Sequence, residues 1–228
     1  MLEEEEEEEY LTCKVVLIGE SGVGKTSIIQ RYINNTFTPG IPTTGGANFT
    51  TKTMKFEEEK QKIKFEIWDT AGQEKFRSLA KVFYKNASIC ILVYDITRKE
   101  SFDELENFWV EEIQNSACSD ICKLLFFNFY IVMAIVGNKS DDYENEKVSD
   151  IDAKNLAKNL NAIFQRTSAK QGTGIDELFR IIGKHFLNPD SAITSNLTKE
   201  EMIKHNQQIK IKEIKEMNTN KEKKKNCC

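Results

Sequence analysis

The residues with the clearest chemistry lie near the start of the chain, where residues 19–26 read G-E-S-G-V-G-K-T. They follow the mostly apolar run 14–18 and precede a helical pattern over residues 27–33. In that context the glycines let backbone N–H groups turn toward an anion that faces a helix N-terminus. We expect Lys25 to reach the β- and γ-phosphates of a nucleotide and the Thr26 hydroxyl to ligate Mg²⁺. The alternative is a glycine-rich turn that binds nothing.

A second loop could act on the last phosphate of such a nucleotide. Residues 68–74 read W-D-T-A-G-Q-E and follow a predicted strand. At the end of a strand Asp69 can hold Mg²⁺ through water, and Gly72 can present its N–H to a γ-phosphate. Gln73 is a neutral group that can orient an attacking water, so we predict that it is the catalytic residue.

Two later loops could select the base. Residues 138–141 read N-K-S-D, and residues 167–170 read T-S-A-K. The Asp141 carboxylate can accept from both N1–H and the 2-amino group of guanine, whereas adenine has neither donor and would leave it unpaired. The Ala169 N–H could donate to guanine O6. Each loop is a weak signal alone, but four such signatures in order, each at a strand end, predict a guanine-nucleotide site.

Strand and helix patterns alternate along the chain from residue 12, as in an α/β fold. The predicted strands cover residues 13–18, 48–56, 63–68, 89–95, 131–136 and 162–167. The predicted helices cover residues 25–34, 101–114, 151–160 and 175–186. Residues 50–64 are typical of a hairpin with the charged turn 57–60, and Ser149 with Asp152 resembles a capping box. This order predicts a P-loop NTPase fold, with a six-stranded, mostly parallel sheet, one antiparallel edge pair and helices on both faces.

Composition indicates how the chain is organised. Its 228 residues are 39% apolar, enough for one core, and the net charge of −4 favours no nucleic-acid partner. Residues 3–9 are an unbroken acidic run, whereas residues 221–225 are mostly basic. We predict an acidic disordered N-terminus over residues 1–10, one domain over residues 11–187 and a flexible tail over residues 188–228. Because glutamates stand where an apolar leader would, we expect the six cysteines to be reduced in the cytosol.

Longer stretches around these loops resemble a known protein family. The likeness is carried by residues 68–78 (W-D-T-A-G-Q-E-K-F-R-S), 83–87 (F-Y-K-N-A) and 94–97 (Y-D-I-T), and by the terminal Cys227-Cys228. Through them residues 11–186 resemble the G domain of a Ras-superfamily small GTPase, specifically a member of the Rab family. Residues 19–26 and 48–54 are most similar to the endosomal Rab branch.

The resemblance implies roles for individual residues. It places the nucleotide against Ser21, Gly22, Val23, Gly24, Lys25, Thr26, Ser27, Phe37, Thr44, Asp69, Gly72, Asn138, Lys139, Asp141, Ser168, Ala169 and Lys170. Thr44 would be the switch I threonine, which ligates Mg²⁺ together with Thr26. Phe37 would pack against the guanine. The hydrophobic trio that effectors contact would be Phe49, Trp68 and Phe83, although ordinary core packing also accounts for aromatic residues there.

The implied function is a switch that binds GTP and GDP with Mg²⁺, hydrolyses GTP and regulates vesicle and endosomal membrane traffic. Its partners would be a guanine-nucleotide exchange factor, a GAP, Rab escort protein, GDP-dissociation inhibitor and effectors that bind the GTP form. Neither residues 19–26 nor switch I contains an arginine that could act as a finger, so intrinsic hydrolysis should be slow and GAP-stimulated. A P-loop ATPase or nucleotide kinase would share residues 19–26, but neither function accounts for the guanine-selecting N-K-S-D motif at residues 138–141. A GTP-binding scaffold with little turnover is the closer alternative.

The end of the chain predicts a membrane anchor. Cys227 and Cys228 resemble the double-cysteine terminus on which Rab proteins carry two geranylgeranyl groups. Two such chains, helped by the basic residues 221–225, would hold the protein on the cytoplasmic face of intracellular membranes, endosomal ones in particular, with a cytosolic pool. Two unmodified thiols are the alternative.

Four features depart from the family pattern, one of which is Phe83 in place of a common tyrosine. Gly45 stands where an aliphatic residue usually follows the switch threonine, and with Gly46 it should make switch I more flexible. Arg166 replaces an acidic residue before T-S-A-K. About ten extra residues fall within 115–130, and they are either a loop that docks a partner or the product of a retained intron translated in frame.

Overall fold

A six-stranded sheet forms the centre of the computed structural model, which describes residues 9–70, 83, 86–113 and 131–188. The strands are β1 (Leu11–Ile18), β2 (Ala47–Phe56), β3 (Gln61–Thr70), β4 (Ile89–Asp95), β5 (Val132–Asn138) and β6 (Ile163–Arg166). They lie in the order β2-β3-β1-β4-β5-β6. All neighbours are parallel except the hairpin pair β2 and β3, so the predicted sheet is confirmed.

Helices cover both faces of this sheet. They are α1 (Lys25–Asn34), α2 (Lys99–Glu104), α3 (Asp150–Asn159) and α4 (Ile175–Leu187). A π-helical turn, Leu105–Trp109, and residues 110–113 continue α2. In β1 successive side chains point to opposite faces, so Val15 and Leu17 pack in the core beneath α1 and α4, whereas Val16 and Ile18 pack beneath α2 and α3.

The central strands are buried on both faces, as parallel strands between two helical layers must be. Every residue of β4 is buried. The thiols of Cys13 in β1 and Cys90 in β4 are free, and burial raises the pKa of each to about 12. These two cysteines are therefore neutral packing residues at physiological pH. The other four cysteines lie outside the described residues.

One helix begins earlier than the sequence predicts. The predicted helix begins at Ser101, yet α2 begins at Lys99 and Ser101 is fully buried inside it. The Ser101 hydroxyl donates to the Arg98 carbonyl at 2.7 Å and accepts from the Asp95 N–H at 3.0 Å. Its hydrogen bonds thus hold the loop after β4, which no sequence pattern indicates.

Other predicted turns and caps are present. The hairpin loop spans the predicted four residues 57–60 between the paired Phe56 and Gln61. The Ser149 hydroxyl oxygen accepts from the Asp152 N–H at 3.1 Å at the start of α3. The predicted insertion at 115–130, residues 1–8 of the predicted acidic N-terminus and residues 189–228 of the predicted tail lie outside the described residues. Among the described helices, none has the length and apolar character that crossing a bilayer requires.

A charge cluster around Arg166 joins β6 to the segment after β5. The Arg166 guanidinium donates to both carboxylate oxygens of Glu146, at 3.0 and 2.7 Å, and to Asp150 at 2.7 Å. These hydrogen bonds, that to Glu146 first, raise the pKa of Arg166. The arginine that departs from the family pattern is therefore matched by two carboxylates, and the cluster braces the segments that flank the T-S-A-K and N-K-S-D loops.

We predict that Arg166→Ala lowers the free energy of unfolding by about 1–2 kcal/mol, because it removes the half-buried guanidinium from Glu146 and leaves Asp150 with only the exposed Lys154. Urea unfolding at low and high salt measures the change. Lys154→Ala is the matched control, since Lys154 also pairs with Asp150, at 3.6 Å, but is 60% exposed. Equal effects of the two substitutions would contradict the special role of Arg166.

Candidate nucleotide-binding site

The loops that follow β1, β5 and β6 and precede β2 surround a cavity of about 410 Å³. Thirteen of the predicted nucleotide-binding residues line it: Ser21, Gly22, Gly24, Lys25, Thr26, Ser27, Phe37, Thr44, Asn138, Lys139, Asp141, Ala169 and Lys170. Because the strands of a parallel sheet end at one edge, loops far apart in sequence meet there. The predicted residues are therefore brought together.

Three predicted residues lie beside the cavity but do not line it. Val23 and Ser168 are fully buried, and Asp69 is buried beneath Thr26. Gly72 and Gln73 are outside the described residues, so their predicted roles stay predictions. Further lining residues that the sequence did not single out are Thr38, Pro39, Gly40, Ile41, Pro42, Thr43, Thr70 and Asp142.

The phosphate loop is held against the base loop at Gly24, the N-cap of α1. Gly24 has a left-handed φ of 97°, and a Cβ there would lie 2.3 Å from Asn138 Nδ2. Both the conformation and the space require glycine. The close approach allows the Asn138 amide to donate to the Val23 carbonyl at 2.8 Å.

The predicted phosphate-binding lysine is buried inside this loop. Lys25 is 5% exposed, and its ammonium group donates to the carbonyls of Gly19 at 2.7 Å and Glu20 at 2.9 Å. Burial lowers the pKa of Lys25 to about 8, against the opposing influence of Asp69 and Glu20. A phosphate beside the ammonium group would favour its charged form again. The residue is thus suited to bind an anion from the cavity.

Three oxygen-bearing side chains meet at the wall of the cavity, where Thr26 and Thr44 line it and Asp69 lies buried beneath them. The Thr26 hydroxyl donates to Asp69 Oδ2 at 2.7 Å, and the Thr44 hydroxyl lies 2.9 Å from that of Thr26. The Thr44 hydroxyl also lies 3.5 Å from the same Asp69 oxygen, so Thr26, Thr44 and Asp69 form one cluster. Burial raises the pKa of Asp69, whose Oδ1 has no hydrogen-bond partner among the described residues. Hydroxyl and carboxylate oxygens are the ligands that Mg²⁺ prefers, so this set fits the predicted ion.

The two residues that follow Thr44 make few contacts with the rest of the protein. Gly45 and Gly46 are exposed, neither has a positive φ, and a Cβ on either would meet nothing within 4 Å. No steric reason for glycine is present, so the pair mainly adds conformational freedom to the loop. This agrees in direction with the predicted flexibility of switch I, which stays a prediction.

The base-side loops hold the predicted guanine-binding carboxylate in place. Ser168 donates to Asp141 Oδ1 at 2.5 Å, and Lys170 Nζ lies 3.6 Å from Oδ2. The Ala169 N–H donates to Asn138 Oδ1 at 3.3 Å, a long bond that a better-placed guanine O6 could replace. From α1, Arg31 donates to the carbonyls of Ala169 and Lys170, each at 2.9 Å.

Asp95 is a site residue that sequence reasoning missed. It ends β4, is 1% exposed, and accepts from Lys139 Nζ and from the amide and hydroxyl groups of Thr97. Although burial raises it, the hydrogen bonds from Lys139 and Thr97 hold the pKa of Asp95 below its usual range. The signal existed, since a carboxylate at the end of an apolar strand is the same pattern that singled out Asp69.

The three predicted effector residues form one aromatic cluster. The ring centroids of Phe49 and Trp68 are 5.1 Å apart, and those of Trp68 and Phe83 are 5.7 Å apart. Phe49 is 52% exposed, so core packing does not account for it. The cluster therefore offers an exposed aromatic edge on the antiparallel hairpin.

The family model and the similar known proteins all indicate the same family. The Ras family model matches residues 14–188. Ras-related protein Rab-22A of Homo sapiens is 42% identical over 182 residues, 80% of this chain and 87% of that protein. GTP-binding protein YPT53 of Saccharomyces cerevisiae is 37% identical over 207 residues, 88% of each chain. Ras-related protein Rab-31 of Mus musculus is 42% identical over 171 residues, 75% of this chain and 81% of that protein.

These matches cover most of the chain, including the phosphate loop, the base loops and the sheet that carries them. The chain therefore belongs to the Ras family, and it is a small GTPase of the Rab type.

Proposed function

We propose that this protein is a GTP- and GDP-dependent switch that regulates vesicle and endosomal membrane traffic. The observation that carries the proposal is the meeting of Thr26 from the phosphate loop with Thr44 from the loop before β2, above the buried Asp69. A γ-phosphate placed there would stabilise the Thr44 loop, and its loss would release that loop. The same cavity holds a carboxylate suited to guanine at its other end.

Hydrolysis in such a site depends on positioning and charge neutralisation. The chain's own contributions are the Lys25 ammonium group and the backbone N–H groups of the phosphate loop, which neutralise and orient the phosphates. Thr26 and Thr44 would hold Mg²⁺ directly and Asp69 would do so through water; the ion, when bound, withdraws charge from phosphate oxygens. Gln73 would orient the attacking water, and a GAP would supply an arginine at a gain of roughly 10³–10⁵ in rate.

The partners follow from the switch. Phe49 and Trp68 of the aromatic cluster lie on the hairpin that begins just after Thr44, and Phe49 is exposed. Effectors that bind the cluster would therefore also contact the Thr44 loop. An exchange factor and a GAP would set the ratio of the two nucleotide states. Rab escort protein and GDP-dissociation inhibitor would bind the lipidated tail.

Guanine selectivity tests the base end of the site. We predict that Asp141→Asn weakens GTP binding by about 100-fold or more, because the amide cannot accept from two guanine donors. The same variant should gain affinity for xanthosine triphosphate, whose 2-oxo group accepts from the new amide. Competition of GTP, ATP and xanthosine triphosphate against a labelled guanine nucleotide measures both effects.

Glu144→Gln is the matched control for that experiment, since it removes a charge from an exposed position of the same segment that does not line the cavity. Stronger binding of ATP than of GTP by the parent protein would refute the guanine site and favour an ATPase or nucleotide kinase. Unchanged base preference in the Asp141 variant would contradict the role given to Asp141.

The catalytic role is tested at Gln73. We predict that Gln73→Leu lowers GAP-stimulated hydrolysis by at least about 100-fold and leaves the protein in its GTP form, because leucine cannot orient the water. Single-turnover release of phosphate, with and without a GAP, measures the loss. Gln61→Leu, at an exposed position of β3, is the control. Parent protein that shows no GAP-stimulated turnover would instead favour a GTP-binding scaffold.

Membrane attachment is tested at the end of the chain. Replacing Cys227 and Cys228 together by serine should make the protein wholly cytosolic, because two lipid chains are needed for stable anchoring. Fractionation of cells that express the tagged variant measures the shift. Serine at both Cys118 and Cys122 provides the control, and continued sedimentation of the tail variant with membranes would refute the lipid anchor.

A further inference from the structure

An arginine outside the phosphate-loop motif contacts that loop directly. Arg98 immediately precedes α2, and its Nη2 donates to the Ser21 carbonyl at 2.8 Å. The same nitrogen lies 3.6 Å from Glu20 Oε2. Arg98 does not line the cavity in the described part of the chain, whereas Ser21 and Gly22 do. It therefore reaches the loop from a side that the nucleotide would not occupy.

The contact fixes the direction of a backbone donor. A trans peptide is planar, so the carbonyl of Ser21 and the N–H of Gly22 point in opposite directions. Because Arg98 binds the carbonyl from outside the cavity, the Gly22 N–H points away from Arg98, toward the cavity that Gly22 lines. Arg98 thereby orients a donor of the kind that binds phosphate in such loops.

The guanidinium group is itself held in place. Arg98 Nε lies 3.3 Å from Asp95 Oδ2, and Lys139 Nζ pairs with the same carboxylate oxygen. Since Asp95 is 1% exposed, its position depends on the sheet and not on solvent. Arg98, Asp95 and Lys139 thus form a chain of ion pairs between the phosphate loop and the base loop.

The part of the nucleotide that this donor would serve follows from Lys25. The Lys25 ammonium group rests on the carbonyls of Gly19 and Glu20, so it lies against the first half of the loop. That lysine is the group expected to reach the β- and γ-phosphates. Gly22 lies two positions after Glu20, in the same half of the loop, so its N–H faces the same phosphates and not the base.

We propose that Arg98 is a positioning residue of the GTPase site, which orients the Gly22 N–H toward the β- and γ-phosphates of the bound nucleotide. The inference rests on the proposed nucleotide switch. Affinity for the outer phosphates then depends on a residue that precedes α2 and lies more than seventy positions beyond the motif.

The test compares Arg98→Ala with Arg98→Lys, and with Lys99→Ala as a matched control. Lys99 is the next residue, carries the same charge and pairs with Asp103. Affinities for GDP and for GMP, each with Mg²⁺, are measured by competition against labelled GDP, and melting temperatures are recorded for each variant. The ratio of the two affinities isolates binding of the β-phosphate, which GDP has and GMP lacks.

Arg98→Ala should weaken GDP binding about tenfold, the size expected for one charge-assisted hydrogen bond, and should change GMP binding less than about twofold. Arg98→Lys should restore most of the loss, and Lys99→Ala should match the parent. Equal losses for GDP and GMP with a lower melting temperature would reduce Arg98 to a structural residue and overturn the inference. So would an unchanged affinity ratio in Arg98→Ala. If the parent protein bound neither nucleotide, the proposed switch itself would fail.

Discussion

The side-chain amide of Asn138 is the interaction on which the site depends. Its Nδ2 donates to the Val23 carbonyl at 2.8 Å, and its Oδ1 accepts from the Thr167 hydroxyl at 3.2 Å and the Ala169 N–H at 3.3 Å. The side chain is 1% exposed, so water cannot reach its polar atoms, and these hydrogen bonds within the protein are the ones that satisfy them. One amide therefore joins the phosphate loop to both base loops. A side chain on Gly24 would collide with that amide, so this position requires glycine.

The parallel sheet is what makes this meeting possible. Asp95 and Asn138 are register partners at the ends of β4 and β5, and Leu17 and Asp69 are partners near the ends of β1 and β3. These strand ends therefore lie at the same edge of the buried sheet. The phosphate loop, the buried carboxylates and the base loops all start there. The apolar pattern that sets strand burial consequently also sets the separation of the groups that would bind phosphate and base.

Sequence reasoning predicted the elements and most cavity residues because both depend on local signals. Buried parallel strands are short apolar runs, and polar residues at their ends are easily read as a site. What it could not predict was which side chains bind one another. The predicted helix begins at Ser101, but that residue holds a loop from inside α2. Lys139 lines the cavity as one of the predicted residues and also pairs with Asp95. Such choices depend on neighbours that only the folded chain supplies.

The two ends of the cavity differ in how firmly they are held, and the difference suits a switch. At the base end Arg31 binds two carbonyls of the T-S-A-K loop, and Ser168 holds Asp141. At the phosphate end none of residues 38–46 is buried, and Thr44 reaches the site through hydroxyl contacts with Thr26 and Asp69. Contacts of that strength are comparable with the entropy of ordering a few residues. A bound phosphate can therefore decide the position of the Thr44 loop, while the base end keeps the nucleotide in place in both states.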